Sequence, residues 1–306
     1  MKEEQKPAAH EPLGAFACNI CGAHTASTAD VGERERPTCG RCHSSIRFRS
    51  VVLALSRALF GLDLKLPDFP TLKSVRGLGI SDSDTYSDRL ESRFSYTNTY
   101  YDRAPHFDLL QPDEKEFGRY DFVVCSDVLE HVPDPACRAF ATLGALLKPT
   151  GVLIVTVPYS LGTSTLEHYP ELAGSAFAEI DGRIVLVGRS TSGEYRVFDQ
   201  LKFHGGIGST LERRFFSDQS IRSELAAAGF PIVRFDPAGN PNFGVVYAAP
   251  CSLPVIAMRA PFTLCAGSVT ELVEQVSAAR AFSNALKSSR WLRLGKALGV
   301  GPDLGR

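Results

Sequence analysis

The sequence lacks any feature that would place the chain in a membrane or commit it to nucleic acid. Its longest apolar stretches, Gly151–Pro158 and Pro250–Met258, are only of strand length, whereas a membrane-spanning helix needs roughly 18–20 apolar residues. The opening MKEEQKP is too polar for a signal peptide, so we expect a cytoplasmic protein. The formal net charge is −1, which neither requires nor excludes an RNA partner, because a local basic patch is enough to bind phosphate.

The composition supports a folded chain with a large core. Hydrophobic residues make up 44% of the 306 residues and charged residues 22%, which excludes global disorder. This length suits one large α/β domain with a small accessory module. The sequence divides into a disordered tail at 1–15, a cysteine module at 16–44, a linker helix at 45–71, a main domain at 72–250 with an insertion at about 160–215, and a C-terminal strand and basic helix at 251–306.

Two closely spaced cysteine pairs lie near the start of the chain. Each pair has the spacing C-x-x-C, and 17 residues separate the pairs. This pattern is typical of a four-cysteine zinc ribbon, because a gap of two residues lets both thiolates reach one tetrahedral ion. Two disulfides are the alternative, but they need an oxidising compartment. We therefore predict a zinc ribbon at 16–44 that holds a structural Zn²⁺ through Cys18, Cys21, Cys39 and Cys42.

Basic residues gather in two places. Those near the cysteines form either a solvated face or a dock for an anionic substrate, such as RNA phosphate or a nucleotide-sugar diphosphate; they are Arg41, Arg47, Arg49 and Arg57. Those near the C-terminus belong to a predicted amphipathic helix, which either packs on its own domain or lies on a membrane surface; they are Lys287, Arg290, Arg293 and Lys296.

Strand-like and helix-like segments alternate from about residue 72. Strands that are apolar along their whole length belong to a parallel sheet covered on both faces, and the alternation indicates a doubly wound, Rossmann-like α/β sheet. The predicted strands lie at Lys73–Gly79, Phe94–Tyr100, Tyr120–Ser126, Val152–Val157, Ile232–Phe235 and Phe243–Ala248, and the helices at Ser45–Phe60, Thr85–Arg93, Ala136–Leu147 and Ser217–Ala228. Within 160–215, GRIVLVGR and EYRVFDQLKF predict a β-hairpin insertion. A last helix begins at Ser268, with Glu271 at capping-box spacing.

One polar cluster follows an apolar strand in the middle of the chain. Ligands of open parallel sheets bind at the carboxyl ends of strands, which is where Ser126 and Asp127 lie. The string YDFVVCSDVLEHVPDP, followed by LLKPTGVLIVTVPY, resembles the fourth strand, the next helix and the fifth strand of class I S-adenosylmethionine-dependent methyltransferases, whose members commonly carry a DVLEH-type segment and an LKPGG-type turn. The resemblance covers about residues 72–248 and implies S-adenosylmethionine as the cofactor.

The family resemblance also indicates where the cofactor loop lies. In this family an acid-x-Gly-x-Gly-x-Gly loop follows the first strand and lets the backbone approach the methionine part of the cofactor. The corresponding segment here is GLGISDS, in which Gly77 stands in place of the acid and Gly79 is the first glycine. Ser81 and Ser83 replace the other two glycines. Asp82 and Asp127 are then the candidates to bind the amino group of the cofactor.

The ribose and the adenine have their own predicted partners. Asn98 stands near the place of the family's ribose-binding acid and can donate and accept hydrogen bonds. Asp108 matches the acidic residue that contacts the adenine amino group in the family. The predicted cofactor-binding set is Gly77, Gly79, Ser81, Asp82, Asn98, Asp108, Leu109, Ser126 and Asp127.

Methyl transfer needs alignment of donor and acceptor more than it needs activation, because the sulfonium is an excellent leaving group. A general base helps when the acceptor is a hydroxyl or a protonated amine. Glu130 and His131 lie beside the cofactor strand, and His168 and His204 lie in the insertion that would cap the cleft. From these we predict His131 and His204 as the catalytic pair.

Three functions fit this sequence. A methyltransferase for a small-molecule, sugar or glycan acceptor fits the near-neutral charge and an insertion that carries several aromatic residues, Tyr159, Tyr169, Tyr195 and Phe198. An rRNA-type methyltransferase that uses the zinc ribbon to dock RNA is the first alternative, although no basic tract interleaved with aromatics occurs. A non-catalytic binding protein with a degenerate cofactor loop is the second alternative.

Overall fold

The computed structural model describes residues 12–30, 33–133, 136–170, 172–190, 192–204 and 210–290, together with Leu292 and Leu294. Most of the predicted N-terminal tail lies outside the described residues, as do two of the four basic residues named in the predicted C-terminal helix, Arg293 and Lys296. Among the described helices, none has the length and apolar character needed to cross a membrane.

The N-terminal part is a short hairpin followed by a helix. Strand β1 (Pro12–Ala17) pairs antiparallel with β2 (His24–Asp30). Residues 12–15, which we predicted to lie in a disordered tail, are therefore ordered through backbone pairing with β2. Helix α1 (Ile46–Phe60) begins at Ser45, whose hydroxyl accepts a hydrogen bond from the amide of Phe48, and ends at Gly61 in the left-handed conformation.

The first half of the main domain follows the predicted alternation. Its elements are β3 (Leu72–Ile80), α2 (Asp84–Arg93), β4 (Phe94–Thr99), β5 (Tyr120–Ser126), α3 (Ala136–Leu146) and β6 (Leu147–Thr156). The predicted Lys148–Gly151 turn is instead the first part of β6, because Tyr120 of β5 already pairs with Leu147.

The insertion contains more strands than the predicted hairpin. They are β7 (Tyr159–Ser160), β8 (Leu166–Glu167), β9 (Leu172–Ile180), β10 (Arg183–Ser190), β11 (Tyr195–Phe198), β12 (Phe203–His204), β13 (Thr210–Leu211) and β14 (Arg214–Ser217). The predicted hairpin is present as β10 and β11, and β9 pairs with the other side of β10. Within the insertion β12 also pairs with β13, and β14 pairs with both β7 and β8.

The last elements are α4 (Asp218–Ala227), β15 (Ile232–Phe235), β16 (Val255–Met258) and α5 (Ala266–Ser288). The prediction of a strand at Phe243–Ala248 was wrong. Pro241 starts a 3₁₀ turn there, and Gly244 ends it with φ of 66°, a conformation that a strand cannot contain. The C-terminal strand predicted within 251–306 is present as β16, and because β16 belongs to the central sheet the main domain extends beyond the predicted end at residue 250. The capping box was also wrong, because the N-cap of α5 is Cys265, and Ser268 and Glu271 bond to Ser74 of β3.

The central sheet has six strands in the order β15-β16-β6-β5-β3-β4. The pairings among β4, β3, β5 and β6 are parallel, and β16 is antiparallel to both of its neighbours. This confirms the predicted α/β fold with a mostly parallel sheet.

Side chains alternate across β5, so two separate cores form. Phe122 and Val124 pack with α1, α2 and the cysteine module, whereas Val123 and Cys125 pack with α3 and α4. Residues 45–71 were predicted to be a linker helix. In the structure α1 covers one face of the sheet, and the cysteine module shares its core.

Candidate functional site

The carboxyl ends of β3, β5 and β6 meet at one edge of the sheet, which we call the carboxyl edge. There the Ser126 hydroxyl lies 2.8 Å from Thr156 Oγ1, and Thr156 Oγ1 donates to Asp127 Oδ1 at 2.7 Å. The Asp127 amide donates to the Thr156 carbonyl at 2.8 Å, and Asp127 has φ of 53°. These bonds hold the Asp127 carboxylate in one orientation at the carboxyl edge.

Two arginines from the N-terminal part reach this carboxylate. Arg34 of the cysteine module donates to both Asp127 oxygens, at 3.1 and 3.3 Å. Arg47 of α1 donates to the Ser126 hydroxyl at 2.7 Å and lies 3.2 Å from Asp127 Oδ2. Burial by itself would raise the pKa of Asp127, but the charges of Arg34 and Arg47 outweigh it, so the pKa lies below the usual range. We name this group the arginine clamp: Arg34, Arg47, Ser126 and Asp127.

The end of β3 and the loop after it are held by buried polar contacts. A Cβ atom at Gly79 would collide with the Tyr96 hydroxyl and with Asn98, so glycine is required there for packing. Asp82 accepts hydrogen bonds from the Tyr86 and Tyr96 hydroxyls. Burial raises the pKa of Asp82 to about 7, although these two hydrogen bonds act in the opposite direction.

The other predicted cofactor residues occupy mixed environments. Asn98 donates to the Asp82 carbonyl at 2.8 Å and accepts from the Asp82 amide at 3.0 Å, so it fastens the loop after β3. A Cβ atom at Gly77 would collide with the ring of Phe122. Asp108 accepts from the Leu110 amide at 2.7 Å in its own loop. Leu109 is buried, and Ser81 has φ of 55°. Their contacts with a cofactor stay a prediction.

Glu130 and the two predicted catalytic histidines lie together. Glu130 is fully buried, and neither of its carboxylate oxygens has a hydrogen-bond partner among the described residues. Glu130 Oε1 lies 3.7 Å from His131 Nε2 and 3.8 Å from His204 Nδ1. Burial raises the pKa of Glu130 well above its usual value, and the nearby charge of Asp127 raises it further. We call this group the acid–histidine cluster: Glu130, His131 and His204.

The hydrogen bond of the His131 ring decides which of its two nitrogens can accept a proton. His131 Nδ1 lies 2.7 Å from the Leu211 carbonyl. A carbonyl only accepts, so Nδ1 carries the proton and the lone pair of Nε2 faces the cluster. Burial lowers the pKa of His131, which keeps that lone pair available near neutral pH.

The insertion supports the cluster from outside. Glu212 bonds His168 Nε2 through one carboxylate oxygen, at 2.8 Å, and His204 Nε2 through the other. The buried Arg214 donates to the carbonyls of Leu129 and Val132, at 3.2 and 2.6 Å, and so holds the turn that carries Glu130. Sequence reasoning missed Glu212 and Arg214, because nothing local to either residue indicates these partners.

Ligand atoms of the acid–histidine cluster lie within 4.8 Å of one another, so these three residues could also hold a divalent cation.

The sulfur atoms of the four predicted zinc ligands also lie within 4.8 Å of one another. Cys18 Sγ lies 3.7 Å from Cys42 Sγ, and Cys21 Sγ lies 3.7 Å from Cys39 Sγ. Zinc–sulfur bonds of about 2.3 Å in a tetrahedron would separate the sulfurs by about 3.8 Å. All eight cysteines are described and none forms a disulfide, so the cysteines fit a zinc ion and do not support the disulfide alternative.

The aromatic residues expected in the acceptor site do not gather around one cleft. Tyr159 is buried and packs against Phe235, and the buried Tyr169 packs against Phe198. Tyr195 is 76% exposed.

A mostly parallel α/β sheet with polar and charged groups at its carboxyl edge is the arrangement in which Rossmann-like proteins bind their ligands. Residues 81–234, half of the chain, match a family described as a methyltransferase domain. The chain belongs to this family and is an S-adenosylmethionine-dependent methyltransferase. It matches no curated protein sequence.

Solved methyltransferases are similar to the chain at low identity. The amino pentose methyltransferase CalS10 of Micromonospora echinaspora is 16% identical, with a TM-score of 0.38 over 71% of this chain and 92% of that chain. The 1,6-didemethyltoxoflavin N1-methyltransferase of Burkholderia thailandensis is 16% identical, with a TM-score of 0.35 over 69% of this chain and 76% of that chain.

Proposed function

We propose that the protein transfers the methyl group of S-adenosylmethionine to a polar atom of a small-molecule, sugar or glycan acceptor. The observation that carries this proposal is the acid–histidine cluster. It combines a buried carboxyl group without a hydrogen-bond partner among the described residues and an imidazole with a fixed tautomer. Buried, unsatisfied polar groups are costly and are found at functional sites.

The acid–histidine cluster would then receive the proton that the acceptor loses. The bound cofactor supplies an electrophilic methyl group on a sulfonium. Nε2 of His131 accepts the proton of the acceptor hydroxyl or amine, while the Leu211 carbonyl keeps the ring in position. Glu130 Oε1 lies 3.7 Å from that nitrogen and stabilises the resulting imidazolium once the Glu130 carboxyl group ionises. His204 and Glu212 close the acceptor side of the cluster and help to exclude water.

The cofactor fits the polar groups of the carboxyl edge. The methionine part of S-adenosylmethionine is a zwitterion, and the arginine clamp offers charges of both signs. We further propose that Zn²⁺ binds the four cysteines in a structural role, because four thiolates complete a tetrahedral site and leave no open position for chemistry.

Small acceptors are favoured over RNA because most arginines of the N-terminal part already have acidic or carbonyl partners. Arg34 and Arg47 bond to Asp127, Arg49 bonds to Gly244, and Arg57 bonds to Asp63 and Asp236. They do not form a basic face that could bind a phosphate backbone. Membrane association through the C-terminal basic helix, of which Lys287 and Arg290 are described, stays a prediction.

Calorimetry and methyl transfer test this proposal together. Zinc-loaded protein should bind S-adenosylhomocysteine and should transfer the labelled methyl group of S-adenosylmethionine to members of a panel of nucleotide sugars, sugars and small alcohols or amines. His131→Gln should bind S-adenosylhomocysteine and lose transfer. Absence of cofactor binding would favour the non-catalytic alternative, and labelling of rRNA alone would favour the RNA methyltransferase.

A further inference from the structure

The arginine clamp joins two parts of the chain that are far apart in sequence. Arg34 lies 93 residues before Asp127, and Arg47 lies 79 residues before Ser126. Asp127 is mostly buried, with 13% of its side chain exposed, and Arg34 and Arg47 are 21% and 16% exposed. The clamp is therefore part of the site at the carboxyl edge and is not a solvated surface ion pair.

The charges of the clamp match an α-amino acid. Two guanidinium groups face one carboxylate, and Glu35, which is half exposed, bonds to both arginines from the solvent side. An ammonium group prefers the Asp127 carboxylate, and a carboxylate group prefers a guanidinium, which binds it through two parallel hydrogen bonds. Strand β3 has glycine at position 77 and so offers no acid there for an ammonium group.

We propose that Arg34 and Arg47 bind the carboxylate of the methionine part of S-adenosylmethionine while Asp127 binds its ammonium group. The cysteine module is then a part of the cofactor site and not only a stabilising appendage. This inference rests on the proposed function, because it takes S-adenosylmethionine as the ligand. On binding, the ligand carboxylate replaces Asp127 as the partner of the guanidinium groups, so no buried charge loses its counter-charge.

The chain places these arginines with rigid contacts. The amide of Asn19, beside Cys18, donates to the Arg49 carbonyl of α1 at 2.9 Å. The Leu66 amide donates to the Asn19 carbonyl at 2.6 Å. Arg34 and Arg47 are linked by an ordered backbone contact as well, because the Arg47 amide donates to the Arg34 carbonyl at 3.2 Å. Both guanidinium groups are therefore positioned before a ligand arrives, which reduces the entropic cost of binding.

Calorimetry with two ligands separates this role from a general effect on the fold. The ligands are S-adenosylhomocysteine and its decarboxylated analogue, which keeps the amine and lacks the carboxylate. Wild-type protein should prefer S-adenosylhomocysteine. Arg34→Gln and Arg47→Gln should each weaken binding of S-adenosylhomocysteine by about 10- to 100-fold, the usual size of a charge-assisted hydrogen bond, and should leave binding of the analogue within about twofold.

The matched control is Arg57→Gln. It removes a guanidinium of α1, the helix that also carries Arg47, but this guanidinium pairs with Asp63 and Asp236. It should bind both ligands as the wild type does, and thermal melting should show that all variants are folded. Equal weakening of both ligands would overturn the inference, and so would tighter binding by the variants, because the clamp would then be a plug that the cofactor must displace. Wild-type protein that binds neither ligand would overturn the proposed function as well.

Discussion

The buried guanidinium of Arg49 donates two hydrogen bonds, at 3.2 and 2.9 Å, to the carbonyl of Gly244, which lies 195 residues further along the chain. The same side chain donates to the Ser44 carbonyl at 2.8 Å and to the Ser44 hydroxyl at 3.2 Å. It also lies over the ring of Phe16, 4.5 Å from its centroid. One side chain therefore connects the cysteine module and α1 to the segment that precedes β16.

Replacing Arg49 should destabilise the whole protein. In Arg49→Met the buried carbonyl of Gly244 loses its guanidinium donor, which costs about 1–3 kcal/mol, and the Ser44 hydroxyl and the ring of Phe16 lose their contacts with the guanidinium as well. We expect the free energy of unfolding in urea to fall by about 2–4 kcal/mol. Arg36→Met removes an exposed arginine whose guanidinium pairs with the exposed Glu33 and should change the free energy of unfolding by less than about 0.5 kcal/mol. Equal effects of the two variants would contradict the assigned role of Arg49.

Zinc content should depend on the four-cysteine cluster alone. Wild-type protein should contain one zinc per chain by elemental mass spectrometry, because the four sulfurs have tetrahedral spacing. Cys39→Ser should lose the metal and should melt at a lower temperature, because metal binding free energy is also folding free energy. Cys137→Ser, at an exposed cysteine, should keep both properties. Zinc retained in Cys39→Ser would place the ion elsewhere.

The elements that could be predicted are those with local signals. Helix α1 begins and ends at the expected Ser45 and Gly61 because a hydroxyl cap and a left-handed glycine act within one turn. Strand β5 has the predicted bounds because its central residues, Phe122 to Cys125, are apolar and buried on both faces of the sheet. His131 and His204 lie side by side, with ring centroids 4.7 Å apart, and their catalytic role stays a prediction.

The features that escaped prediction depend on contacts between distant segments. Strand β16 enters the sheet between β6 and β15, and a sequence pattern does not show that a strand returns to an interior position. Arg34 has no special local context, so its contact with Asp127 follows only from the docking of the cysteine module on the sheet. The same holds for Glu212, which meets two histidines only after β12 and β13 have paired.

Stability should fall as the pH rises because of Asp82. Its pKa in the folded protein is about 7, above the value of about 3.9 for an unfolded chain, so the folded state binds the proton more tightly. The contribution of Asp82 to stability is therefore fully present below pH 4 and is lost as the pH rises toward 7. Asp82→Asn, which stays neutral, should remove up to about 4 kcal/mol of this dependence.

Urea unfolding at several pH values between 4 and 8 would measure this effect. The same series on Asp113→Asn is the control, because Asp113 caps only the amide of Lys115 in an exposed turn. A wild-type profile that is parallel to that of Asp82→Asn would show that the folded protein holds Asp82 ionised. The expected result is that the two profiles converge in acid and diverge in base.

The pH dependence of methyl transfer should show His131 as a base with a low pKa. Burial disfavours its charged form, so the pKa lies below the usual value of about 6.5, and kcat/KM should rise with pH through a midpoint below that value and then level off. Removing a general base typically costs 10²- to 10⁴-fold in rate. His131→Gln should therefore lose about that factor in kcat and should lose the acidic limb of the profile, while its affinity for S-adenosylhomocysteine stays within about twofold.

The control is His24→Gln, at an exposed position of β2, which should keep the wild-type profile. If the acidic limb persists in His131→Gln, the general base is another group. His204 would then be the first candidate, because its ring centroid lies 4.7 Å from that of His131.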